Sequence, residues 1–183
     1  MSHIHSDDCQ AYCYLIFEQS KEVVKTVNST FDTIGAKYHL AEDDNSYAEA
    51  SIVLFAILFG SLDSATKKSF KKRQKLRRSI ADSLGAIIGS DEDARAYLSA
   101  IEAVAKVGFV DSLATGKNPF HQMALILLGK CLHGSYDYFL KSTDDLNLTF
   151  PAEMIGDMLA MSASKNFLFW KDKGVSLGTD NNG

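Results

Sequence analysis

Residues 46–63 read SYAEASIVLFAILFGSLD, and the fold turns on what the apolar run from Ala50 to Leu62 within them becomes. Its 13 residues fall short of the roughly 20 that cross a hydrocarbon core. The run is also long for a strand and carries no strict alternation. Ser46 and Glu49 have the spacing of a capping box, which places a helix start just ahead of it. The reading is a helix apolar almost all round, which belongs at the middle of a helical bundle. No transmembrane segment is expected.

Outward from this run, spacing and caps give five further helices. Tyr12, Ile16, Val23, Val27, Phe31 and Ile34 recur on one helix face, which predicts a helix from Asp7 to Thr33 stopped by Gly35. A third helix is expected from Ser64 to Ile88, before Gly89. A fourth starts at Ser90, whose following Asp91, Glu92 and Asp93 suit the positive end of a helix dipole, and runs to Val107. Val110 to Lys117 reads as a connection. Asn118 as cap and Pro119 in the first turn open a fifth helix, with a break at Gly134 before Tyr136 to Leu140. Thr149-Phe150-Pro151 opens the last, which ends around Trp170 to Lys173. Strand alternation is nearly absent, and no Asn-Gly or Asp-Gly turn separates two apolar runs. The expectation is an all-α protein, an irregular bundle of about six helices around the second and fifth, with residues 1–173 as a single domain and 174–183 as a disordered tail.

A chain of 183 residues that is 46% hydrophobic can build a core without disulfides or metals. Cys9, Cys13 and Cys131 do not form the dense, even-numbered pattern of a secreted disulfide framework. The polar, acidic N-terminus also lacks the basic-then-apolar order of a signal peptide. Both point to the cytoplasm, where the glycosylation-like triplets at Asn28 and Asn147 are chance matches.

The strongest functional signal is charge. Lys67, Lys68, Lys71, Lys72, Arg73, Lys75, Arg77 and Arg78 follow one another with no acidic residue between them, while the whole chain carries −4. A positive patch on an otherwise acidic protein is an asymmetry that favours a charged partner. On a helical wheel, Phe70, Leu76, Ile80, Ala81, Leu84, Ile87 and Ile88 form an apolar sector, and Lys67, Lys68, Lys71, Lys72, Lys75 and Arg78 lie opposite. Those six read either as a solvated face or as a binding face. Arg73 and Arg77 fall inside the apolar sector, where an unpaired charge is costly. They therefore pair with carboxylates of neighbouring helices, project past the core toward a partner, or bind an anion such as phosphate.

Recognisable catalytic chemistry is missing. His5, Cys9 and Cys13 stand four residues apart, so a continuous helix would set them on one face as metal ligands are set. The two cysteines equally continue the apolar stripe of Tyr12 and Ile16, where free Cys acts as a small hydrophobe. No metal or other cofactor is expected. Gly116-Lys117-Asn118 lacks the earlier glycine and the Ser or Thr of a phosphate-binding loop, and no nucleophile elbow, His-Glu-x-x-His or dinucleotide glycine pattern occurs. The aromatic groups at 166–170 and 136–139 read first as closing the bundle and second as exposed anchors.

These features point to a non-enzymatic helical protein that binds another macromolecule, as adaptor, inhibitor or neutralising partner, using a basic helix for one surface, against an acidic protein partner, and acidic loops for another. One alternative is a nucleic-acid-associated regulator contacting phosphates through residues 67–78. The chain's acidity and the lack of a helix-turn-helix or zinc-finger pattern weigh against it. A second alternative is an enzyme or ligand-binding bundle whose site combines scattered residues such as Arg73, Arg77 and His121.

Overall fold

The computed structural model describes residues 4–64, 70–141 and 149–175. In chain order they form α1 (Ser6–Ile34), α2 (Asp44–Ser64), α3 (Phe70–Ile88), α4 (Asp91–Val104), a π-helical segment (Ala105–Val110), α5 (Asp111–Ala114), α6 (Pro119–His133), α7 (Tyr138–Lys141) and α8 (Thr149–Asp172). The protein is all-α, an irregular bundle wrapped around α2. Every residue from Ala50 to Leu62 is buried, and α1, α3, α4, the π segment, α6 and α8 all pack against this helix. By length and composition α2 could cross a membrane, yet 78% of that stretch is buried inside the protein, as in a core helix.

The start of α2 departs from the sequence reading. The Ser46 N–H donates to Asp43 Oδ1 at 2.9 Å, so Asp43 is the cap and the Ser46–Glu49 box is not used. Elsewhere the caps fall where expected. Ser90 Oγ accepts the Asp93 N–H, and Asn118 Oδ1 accepts the N–H groups of Phe120 and His121. Gly134 ends α6 in the left-handed region at φ 71°.

Two further corrections concern connections. The stretch read as a connection from Val110 is largely helical, because the chain leaves α4 through the π segment and runs on into α5. The wider π turn rotates Gly108 toward Met123 and Ile126 of α6 and Phe109 toward Gly60 of α2. The apolar residues there obey no single helical period, which is why the spacing reads as a break. At the other end, Gly174 does not belong to a tail but closes α8 at φ 75°. The next residue, Val175, is 2% exposed and donates its N–H to the Trp170 carbonyl at 2.8 Å. Residues 176–183 lie outside the described residues.

The link between α1 and α2 is held by a side chain that spacing alone does not single out. Asn28 is buried; its Nδ2 donates to the Leu40 carbonyl at 3.0 Å, and its Oδ1 accepts the Leu40 N–H at 2.8 Å. The amide thus replaces one strand-like pairing for a residue that is itself fully buried. With both ends of its side chain engaged, Asn28 offers nothing to a glycan. The Asn147 triplet lies outside the described residues.

Candidate functional site

The basic helix α3 separates its cations into two groups. Leu76, Ile80 and Leu84 are buried and anchor its inner side. Arg73 lies on that side at 5% exposure, and burial lowers its pKa from the usual arginine value. Arg77 resolves into the internal-pairing alternative. Its Nη1 donates to both Asp63 oxygens, at 2.7 and 2.9 Å, and its Nη2 to Glu102 Oε1 at 3.0 Å. The guanidinium carbon also stands 5.0 Å from the centre of the Phe59 ring. One side chain therefore ties α3 to the end of α2 and to α4, and it fixes the rotation of α3 about its own axis.

That rotation turns the remaining cations outward. Lys71, Lys72, Lys75 and Arg78 are exposed, and among the described residues none of the four is in an ion pair. Lys71, Lys75 and Arg78 share a face with Gln74 and Ser79, and the five line an open groove of about 530 Å³. The row spans about 10 Å along the helix, and the carboxylate of Asp82 follows one turn beyond Arg78. The arrangement offers charge and hydrogen-bond donors to an anionic surface. Lys67 and Lys68 lie outside the described residues, as do the side-chain surroundings of Phe70.

The residues read as metal ligand candidates have a different setting. His5 is the N-cap of α1, while Cys9 and Cys13 are fully buried in the core. Burial pushes their thiols up to about 11 and about 12, and that of Cys131 to about 12. Among the described residues no group of three or more His, Cys, Asp or Glu side chains could hold a metal ion. At pH 8 such thiols are ionised to about one part in a thousand or less. A disulfide reagent is therefore expected to leave Cys9 and Cys13 unmodified in the native protein and to modify all three cysteines after unfolding in urea. Fast native-state modification of either residue, mapped by peptide mass spectrometry, would contradict this placement.

Arg73, Arg77 and His121 are carried by elements with different packing partners. Helix α3 packs chiefly on α1, α4 and α2, whereas the backbone of His121 lies 3.1 Å from where a Cβ on Gly156 of α8 would stand. The aromatic groups divide between the two readings given to them. Trp170 is fully buried, 5.0 Å from the Tyr12 ring and 5.1 Å from that of Phe169, and closes the bundle. Leu168, two residues earlier, is 56% exposed. Phe139 is buried, and Tyr138 stacks on His133 at 3.8 Å.

Released from capping, Glu49 organises a polar cluster that spacing does not reveal. Its Oε2 accepts the Tyr136 hydroxyl at 2.5 Å, and its Oε1 lies 3.8 Å from Lys130 Nζ, which sits 4.9 Å from the centre of the Tyr136 ring. Burial first, and the carboxylate second, push the Tyr136 phenol up, so it remains a donor at neutral pH. The cluster joins α2 to α6 and to the turn before α7, a latch between elements distant in sequence.

No protein-family model, curated protein or solved structure matches the chain.

Proposed function

We propose that this is a non-enzymatic helical binding protein of the cytoplasm, acting on a protein partner with an acidic surface as adaptor, inhibitor or neutralising partner. The observation that carries the reading is the division of labour on α3, where Arg77 is consumed by Asp63 and Glu102 while Lys71, Lys72, Lys75 and Arg78 face solvent beside an open groove. Charge presented this way steers and selects an oppositely charged surface. The free cysteines accord with a reducing compartment.

The geometry also chooses the test. Neutralising Arg77 would disturb the fold, so the informative variant carries Lys71→Ala, Lys72→Ala, Lys75→Ala and Arg78→Ala together. Affinity capture from nuclease-treated lysate is expected to retain one host protein on the wild type and to lose it on the variant. Measured with the purified partner, binding should weaken about ten- to a hundredfold, since exposed charge pairs each contribute up to ~1 kcal/mol. It should also weaken with salt. Retention of the same protein by the variant would overturn the reading. So would tight, steeply salt-dependent binding of duplex or single-stranded nucleic acid by the wild type alone, which would establish the phosphate-binding alternative instead.

A further inference from the structure

Among the described residues, eight large apolar side chains stand well exposed, and four of them, Phe150, Met154, Met161 and Leu168, belong to α8. At about 100° per residue these four fall within a sector of about 40°. That sector is opposite the side on which Ile155, Leu159, Ala163 and Trp170 enter the core. Met154, Met161 and Leu168 follow one another at seven-residue steps, with Phe150 one turn ahead. A stripe this narrow has the seven-residue repeat of a seam between two helices, with Met154, Met161 and Leu168 at one seam position and Phe150, Asp157 and Ser164 at the other, and not the broader face by which a helix joins a core.

We propose that this stripe receives a second copy of the chain, the two α8 helices lying antiparallel about a two-fold axis near Met161. The charges beside the stripe select this occupant. Glu153 and Asp157 are exposed in the first half of α8, and Lys165, Lys171 and Asp172 in the second half, which carries a net charge of +1 (2 − 1) against −2 in the first. Antiparallel pairing lays the acidic half of each copy along the basic half of the other. Parallel pairing would set acidic half beside acidic half. Three of the four apolar positions obey the same symmetry, since Met161 meets its own mate and Met154 faces Leu168, while Phe150 at the end of the contact lies level with Asp172. The contact is closed and self-complementary, as a two-fold interface must be.

Size sets the strength. The four side chains, 38% to 65% exposed, offer on the order of 400 Å² per copy, a large patch for a monomer. That is about half of the ~800 Å² per partner in a standard stable interface, so the dimer forms in the micromolar range or more weakly.

Sedimentation equilibrium of the full chain from about 1 to 500 µM tests the proposal. The average mass is expected to rise from 20.1 kDa toward twice that value. Met161→Lys and Leu168→Lys, both at exposed positions, should hold it at the monomer value with an unchanged circular dichroism spectrum. A monomer mass for the wild type throughout, or association undiminished in both variants, overturns the proposal. Orientation is read from cross-linking under mild oxidation. Met161→Cys should form an interchain disulfide, and Met154→Cys should cross-link to Leu168→Cys when the two variants are mixed. A Met154→Cys chain that cross-links to itself instead refutes the antiparallel arrangement.

Discussion

Gly60→Val is expected to destabilise the protein by about 3 kcal/mol or more, and Gly60→Ala by about 1–3 kcal/mol. A Cβ built at Gly60 would stand 2.6 Å from the Cβ of Phe109, 2.7 Å from its Cγ and 2.9 Å from its Cδ1. These are not the far end of a flexible side chain. The Cβ of Phe109 moves only with its backbone, so the whole π segment would have to withdraw from α2. Intrinsic propensity pulls the other way, because alanine is favoured over glycine within a helix by up to about 1 kcal/mol. Gly85 in α3 supplies the control, since a Cβ there meets nothing within 4 Å. Gly85→Ala is expected to be neutral or to stabilise by up to about 1 kcal/mol. Urea denaturation midpoints of the variants decide the matter. Stabilisation by both alanines would show that the approach of Phe109 to Gly60 is not a constraint.

The contrast between these glycines also shows where sequence reasoning stops. Helices α1, α6 and α8 are legible because their periodic stripes and their terminal signals agree. Gly35 ends the first, Asn118 and Pro119 start the second, and Pro151 sits in the first turn of the third. The π segment is not legible, because its extra residue per turn appears in sequence only as a lost period. The capping box at Ser46 misleads for a local reason. Asp43, Asp44 and Ser46 are all competent caps, and the choice of Asp43 leaves Glu49 for Tyr136, 87 residues away. The candidate site divides in the same manner. A helical wheel is enough to set Lys71, Lys72, Lys75 and Arg78 outward, whereas the role of Arg77 depends on Asp63 and Glu102 and so on the packing of three helices.

Asn28→Asp is expected to be among the most damaging changes of a single atom, and its cost should grow with pH. Asn28 faces Leu40 with a donor and an acceptor at once. Asn28→Ala leaves both backbone groups of Leu40 without this partner in a buried site, at about 2–4 kcal/mol, and this cost should not depend on pH. An ionised carboxylate at position 28 could still accept the Leu40 N–H. It would, however, turn an oxygen toward the Leu40 carbonyl, with Glu42 Oε1 only 3.4 Å from the present Nδ2. Only the protonated acid reproduces the native pairing. The pKa of the introduced carboxyl is therefore raised in the folded state above its unfolded value of about 3.9. A raised pKa means that the folded state binds the proton more tightly. The variant thus keeps most of its stability below the unfolded pKa and loses it as pH rises through the folded one. The loss amounts to about 1.4 kcal/mol for every tenfold by which folding tightens proton binding. Urea denaturation of wild type, Asn28→Ala and Asn28→Asp at pH 4 and pH 7, with each variant compared to wild type at the same pH, removes the titration of every other group. A deficit for Asn28→Asp that is equal at the two pH values would mean that this amide does not hold Leu40 by the paired hydrogen bonds described.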